Sequence, residues 1–286
     1  MNILKKKLDR LLKSFDKRYS RFMKSRFQAI PARTTPMGFK FLGNEAMESG
    51  VFEPEETKLL ATLMAQCDHF VNVGANIGYY CCLALQQNLP VIAFEPENSN
   101  LLVLLRNIRE NGWNDNIEIH PVALSDRAGI VDIYGSGTGA SLLRGWANTP
   151  VDLVASIPAS TLDLSLGQRL RGRRALILID IEGAEYYALK GAILTLNQDP
   201  KPVWIVEICS HQHQPAGVAV NPRLLDTFDL FWNAGYIAYT VAETPRQIER
   251  SEIKAIAEGG PDTLHLHNFI FVDKTRQADV IFPSAH

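Results

Sequence analysis

No stretch of this 286-residue chain approaches the roughly 20 consecutive apolar residues of a bilayer-spanning helix, and the charged N-terminus lacks the continuous apolar core of a signal peptide. Cysteine is scarce. Cys67, Cys81, Cys82 and Cys209 form no C-x-x-C pair, so reduced and mostly buried thiols are expected, and with them a cytoplasmic protein. Internal repeats and low-complexity segments are also missing. The net charge of -2 hides an asymmetry: residues 1–28 carry ten Lys/Arg against two Asp/Glu, which leaves +8 there and -10 on the body. A body this acidic excludes general nucleic-acid binding.

What is present is an ordinary globular composition, 46% hydrophobic and 21% charged, enough for one α/β domain with additions. Its most telling stretch is Phe70-Val-Asn72-Val-Gly74-Ala-Asn76-Ile-Gly78-Tyr79-Tyr80, an apolar run that breaks into two glycines four apart and opens an amphipathic segment. Such a strand, tight loop and helix start let ligand atoms approach the backbone beside unpaired helix N–H groups. Glu95 ends the next apolar run, Val91–Phe94, where a carboxylate can accept ribose hydroxyls. Dinucleotide sites usually carry G-x-G-x-x-G, whose middle glycine lets a pyrophosphate sit on the backbone, and that glycine is missing here. The spacing therefore points to S-adenosylmethionine over a dinucleotide.

Alternating patterns predict a doubly wound, Rossmann-like α/β sheet of about seven strands with one antiparallel strand at its edge. Strands are expected near 69–73, 90–95, 116–123, 175–181, 203–209, 236–241 and 268–272. Helices are expected at 54–66, 78–87, 97–111, 184–197 and 222–234, with a helical stretch before the last strand. A β insertion is expected near 129–160, around the Gly- and Ser-rich Gly135–Gly145. The domain reading is a basic amphipathic helix over 1–30, a linker and approach segment over 31–50, and the catalytic domain over 51–286.

The motifs Phe52-Glu53-Pro54, Val73-Gly74-Ala75-Asn76-Ile77-Gly78, Phe94-Glu95-Pro96, Ala123-Leu124-Ser125-Asp126, Ser160-Thr161-Leu162-Asp163, Ile179-Asp180-Ile181-Glu182-Gly183-Ala184-Glu185 and Leu189-Lys190-Gly191-Ala192 follow one another in order. Over roughly residues 50–240 this series resembles the FkbM family of S-adenosylmethionine-dependent methyltransferases. The resemblance implies the methyltransferase sheet and methylation of an oxygen on a sugar, glycolipid or secondary metabolite. N- or carboxyl-methylation, or a scaffold protein that binds the cofactor without turnover, are the alternatives. Two positions depart from the family pattern. Asn72 stands where an acidic residue is usual, and Leu178 where a lysine often lies. Asn72 can accept a hydrogen bond from the methionyl ammonium but cannot pair with it ionically.

The cofactor set expected is Asn72, Gly74, Asn76, Gly78, Glu95, Asp180, Ser125 and Asp126, the last two near adenine by the family resemblance. The catalytic candidates are Asp180, Glu182, Glu207, His211 and His213. Asp180 and Glu182 end a buried strand, on one side of it by strand alternation, although Glu182 also suits the start of the next helix. Glu207 ends another strand aimed at the same edge. A sugar hydroxyl needs a base, and the histidines after Glu207 are poised for one near neutral pH. No metal is favoured, though Asp180, Glu207 and His211 could hold Mg²⁺.

The expected partner is a small-molecule or glycan acceptor. The stripe Leu4, Leu8, Leu11, Leu12, Phe15, Tyr19, Phe22 and Met23, with basic residues on the other face, suits peripheral contact with the inner face of a membrane or packing on protein, including a second subunit.

Overall fold

The computed structural model describes residues 30–242 and 244–275. Apart from Ile30, the basic amphipathic helix expected at 1–30 lies outside them. Among the described residues no helix is long and apolar enough to cross a membrane.

Seven strands form the main sheet: β1 (His69–Val73), β2 (Val91–Phe94), β3 (Ile117–His120), β4 (Ala175–Ile179), β5 (Val203–Glu207), β6 (Tyr236–Thr240) and β7 (Asn268–Asp273). Their order is β3-β2-β1-β4-β5-β7-β6. The first five pair in parallel, while β7 runs antiparallel to both β5 and β6. The antiparallel strand thus sits one place in from the edge, which β6 forms. Its position follows from its sequence, because Phe269, Ile270, Phe271 and Val272 are apolar on both faces and all four are buried.

Both faces of the sheet are covered. On one, Val71, Val73, Ile177, Ile179, Trp204 and Val206 pack with Phe228 and Phe231 of α5 (Leu224–Asn233) and with Ile253 and Ile256 of α6 (Arg250–Ala257). On the other, Phe70, Leu176, Leu178 and Ile205 pack with α1 (Pro54–Met64), α2 (Tyr79–Gln86) and α3 (Asn98–Glu110). Strand alternation sends successive side chains to opposite cores, so the continuous apolar runs of β1 and β4 are what two cores require.

Three expected elements differ in detail. The strand expected at 116–123 splits into β3 and the short strand Ala123–Leu124, because Pro121 offers no N–H to the ladder. Ala123–Leu124 joins Gly129–Tyr134 and Val154–Ser160 in a separate three-stranded sheet, the expected β insertion. The helix expected at 184–197 divides into α4 (Glu185–Lys190) and the turn Ile193–Leu196. Gly191 lies between them, where a Cβ would stand 2.2 Å from the Ser125 carbonyl.

Residues 31–50, read from sequence as a linker, fold back onto the domain. Phe39, Phe41 and Met47 are buried. Asn107 of α3 accepts from Leu42 N at 2.9 Å and donates to Leu42 O and Ile77 O, which ties the segment to the glycine loop.

Candidate active site

Parallel register decides where the chemistry gathers. Val73 pairs with both Phe94 and Ile179, and Ile179 pairs with Val206, so β1, β2, β4 and β5 end level. The next residues of the first three strands are Gly74, Glu95 and Asp180, and Glu207 is the last residue of β5. Strand order reverses between β1 and β4, the crevice where ligands of open α/β sheets bind. There Asp180 N donates to Val73 O at 3.0 Å, and a Cβ on Gly74 would lie 1.8 Å from the Asp180 carbonyl oxygen. Gly74, at φ +83°, is thus required by close approach of two backbones as well as by its conformation.

A cavity of about 270 Å³ opens along this edge. Gly74, Asn76 and Glu95 line one part of it, and Asp180, Glu182 and Glu207 another. The wall beyond Glu95 is apolar, formed by Val122, Ala123, Leu124, Ile133 and Leu142. Glu53, Glu95, Glu97, Asp180, Glu182 and Glu207 bring six carboxyls to the lining, which among the described residues contains no Lys, Arg or His.

Glu95 is 4% exposed, and its two oxygens accept from Asn76 N at 2.7 Å and Glu97 N at 2.8 Å. Asn100 Nδ2 adds a longer bond to Oε1 at 3.4 Å and also donates to Gly137 O of the insertion. Burial pushes the Glu95 pKa up to about 7 against these donors. A carboxylate has about four acceptor positions, so capacity remains for a ligand hydroxyl.

Asp180 is exposed by surface area, through the cavity it lines, although protein atoms crowd its carboxyl. Its carboxyl and that of Glu207 meet at the same part of the cavity, and each acts on the other's ionisation. Burial, then repulsion from Glu207, holds Asp180 well above the usual carboxylate range, and burial likewise pushes Glu207 up to about 7.

Glu182 is fixed by the insertion. Trp146 Nε1 donates to its carboxyl at 2.8 Å and Ser141 Oγ to its carbonyl at 2.6 Å. Trp146 lies against Gly183, where a Cβ would be 2.6 Å from the ring. Glu53 enters from the turn before α1 at φ 40° and accepts from Tyr80 OH, and burial raises its pKa.

Other expected site residues lie elsewhere. His211 and His213 do not line the cavity: His211 Nδ1 is 3.2 Å from Ser210 Oγ, and the His213 ring is tilted beside Trp146 with centroids 6.0 Å apart. Ser125 is buried with its N–H on Ser160 O, and Asp126 is exposed; residues 122–124 line the wall instead. Gly78 starts α2 at φ +90° behind the loop. Asn72 is 2% exposed and borders a smaller recess of about 40 Å³ shared with Asp180, Tyr79 and Tyr80. Its Nδ2 reaches Cys81 Sγ at 3.5 Å while Oδ1 has no partner. Asp180, Glu207 and His211 do not form a close ligand group among the described residues.

Sequence reasoning gave no site role to Glu53, Glu97, Asn100 or Trp146. Glu97 and Asn100 carried a local signal, since Glu97 accepts from Asn100 N at 2.8 Å as the N-cap of α3. Trp146 carried none.

Buried Glu185 accepts from Gly183 N at 2.9 Å, and burial pushes its pKa up to about 8. An unfolded glutamate ionises near pH 4.3, so between that value and about 8 the folded state holds a proton that the unfolded state has lost. Rising pH therefore destabilises the fold, by at most about 1.4 kcal/mol per unit from this group. In denaturant titrations of the unliganded protein, Glu185→Gln should flatten the loss between about pH 5 and 8 and leave the variant the more stable form at the alkaline end. An unchanged slope would show that Glu185 does not carry it.

A nucleotide-type α/β sheet with a glycine loop and an acidic strand end beside the crevice defines the class of the protein. Residues 72–238 match the Methyltransferase FkbM domain, well over half of the chain. The chain belongs to the FkbM methyltransferase family. A search of curated proteins finds no match. Among solved structures it is similar to a methyltransferase FkbM from Methylobacillus flagellatus KT, with 18% identity over 72% of this chain and a TM-score of 0.40. The similarity spans only 43% of that protein. An O-methyltransferase from Bacillus cereus in complex with SAH is 13% identical, over 77% of this chain and 80% of that one, at a TM-score of 0.37. A SAM-dependent O-methyltransferase from Thermotoga maritima is 11% identical, over 77% and 64%, also at 0.37.

Proposed function

We propose that this methyltransferase moves a methyl group from S-adenosylmethionine to a hydroxyl of an uncharged acceptor, a sugar, glycolipid or secondary metabolite. The observation that carries the reading is the pairing of the Asp180 and Glu207 carboxyls in a cavity lined, among the described residues, by six carboxyls and no cation. An acceptor whose attacking oxygen belongs to a carboxylate or phosphate would be repelled there and would need no base. A hydroxyl needs both alignment and somewhere for its proton to go.

The residues present fit the cofactor. Glu95 keeps acceptor capacity for ribose hydroxyls, and Val122–Leu124 with Ile133 and Leu142 form an apolar wall for a flat ring. Asn72 Oδ1, buried without a partner, is an acceptor for the methionyl ammonium. When bound, S-adenosylmethionine supplies a methyl group already activated on a sulfonium. The chain's own task is to exclude water, hold the acceptor over Asp180 and take its proton onto the Asp180–Glu207 pair. Glu182, held by Trp146 and Ser141, couples acceptor position to the insertion.

Glu95→Ala is expected to weaken S-adenosylhomocysteine binding by about 1.5–3 kcal/mol, the range for lost charge-assisted hydrogen bonds. Titration calorimetry on a variant shown by melting to be folded checks this, and unchanged affinity would remove the ribose assignment.

The acidic floor would also attract an amine, which makes N-methylation the second reading. Transfer of labelled methyl groups to a panel of neutral glycans, amines and carboxylates, followed by alkali treatment, tests the proposal. An alkali-stable ether on a neutral glycan is expected. An alkali-labile ester, or label only on amines, would overturn it.

A further inference from the structure

At the rim of the cavity, one cluster among the described residues combines three different ligand chemistries. Glu207 and Cys209 are two apart along one extended segment, and alternation puts them on the same side. His267 precedes β7 and meets them through the antiparallel pairing, in which Glu207 faces Asn268 and Ile208 N donates to His267 O. His267 Nε2 lies 3.7 Å from Glu207 Oε1, and one atom each from Glu207, Cys209 and His267 can be chosen so that all lie within 4.8 Å of one another. Metal–ligand bonds of about 2.0–2.3 Å place tetrahedral zinc ligands roughly 3.3–3.8 Å apart, so side-chain rotations that close the group by about 1 Å would complete three corners. Cys209 is buried in the electrostatic field of Glu207, Glu185, Glu182 and Asp180.

We propose that Glu207, Cys209 and His267 form a site for a borderline-soft divalent metal of the zinc type, with one oxygen, one sulfur and one nitrogen ligand. Thiolate and imidazole donors select such a metal over Mg²⁺, which takes oxygen ligands. Three protein ligands leave the fourth position to water or an incoming group. On binding, a metal–sulfur bond forms and the Cys209 thiol proton passes to solvent. Glu207 also lines the cavity, so the metal would stand at the rim of the acceptor space. The set differs from Asp180, Glu207 and His211 because antiparallel β7 brings His267 to Glu207 while His211 turns toward Ser210.

The test uses the metal alone on the full-length protein. After chelation and dialysis, Co²⁺ is titrated in as a spectroscopic stand-in for Zn²⁺, with bound metal measured by mass spectrometry. The expected result is about one Co²⁺ per chain, a thiolate-to-cobalt absorption band in the near ultraviolet, and loss of both on adding Zn²⁺. Cys209→Ser should abolish the band, and His267→Ala should weaken Co²⁺ binding by at least about tenfold. If Cys209→Ser does not fold by circular dichroism, the His267→Ala affinity decides. Binding without a thiolate band, a band that survives Cys209→Ser, affinity unchanged in His267→Ala, or no binding at all would overturn the proposal. None of these readouts depends on methyl transfer, so the site can fail while the methyltransferase reading stands, and the reverse.

Discussion

Glu207→Gln should lower kcat by about 10²–10⁴ while S-adenosylhomocysteine affinity stays close to that of the parent protein. The size is that of a lost general base, about 3–5.5 kcal/mol of transition-state stabilisation. Glutamine keeps the shape of glutamate but cannot take up a proton. Cofactor affinity should hold because the groups proposed for ribose and ring, Glu95 and the wall of residues 122–124, lie at the ends of other elements. Single-turnover transfer of labelled methyl groups to whichever acceptor the panel identifies, beside calorimetry with S-adenosylhomocysteine, separates the two effects. A variant that turns over at the parent rate would move the base elsewhere, with His211 and His213 the first residues to test. Equal loss of affinity and rate would mean that Glu207 shapes the site without handling the proton.

Gly74→Ala should have the largest effect on binding and a large one on stability. Its new Cβ would meet the Asp180 carbonyl at 1.8 Å, and a backbone oxygen cannot swing aside as a side chain can. The added methyl forces β1 and β4 apart at the crevice, with overpacking of about 1–3 kcal/mol on top of about 1–2 kcal/mol for a left-handed alanine. For a chain of this size the sum corresponds to a fall of roughly 10 °C in melting temperature. Gly112→Ala supplies the control. Gly112 is also left-handed, at φ +75°, but nothing lies within 4 Å of its would-be Cβ, so only the conformational cost should appear. S-adenosylhomocysteine binding should vanish in Gly74→Ala and persist in Gly112→Ala. Equal losses of stability in the two variants would show that backbone approach at the crevice is unimportant.

The parts of the molecule that were legible in the sequence are those written in local patterns. The apolar runs at Phe70–Val73, Val91–Phe94 and Ala175–Ile179 marked buried parallel strands, and the residues just past them, Gly74, Glu95 and Asp180, converge because parallel strands in register end together. Pairings between distant segments left no such mark. Nothing near Glu207 announces that the last strand enters between β5 and β6, yet that antiparallel register is what carries His267 to it. The histidines beside Glu207 in sequence looked better placed for catalysis, but the loop that holds them bonds to Ser210 and packs by Trp146. Trp146 itself gave no warning, because its role comes from the left-handed turn at Glu182 and from the space Gly183 leaves for an indole ring. Residues 31–50 misled for a related reason. Pro31 and Pro36 signal a linker, whereas Phe39 and Phe41 find their burial only against α2 and α3, far along the chain.

The cofactor assignment is the claim on which the proposed chemistry depends, and titration calorimetry of the full-length protein with S-adenosylhomocysteine, alongside NAD, tests it most directly. Saturable one-to-one binding of S-adenosylhomocysteine with no heat from NAD is the result the site predicts. Binding of NAD, or no binding of S-adenosylhomocysteine by protein shown to be folded, would contradict it.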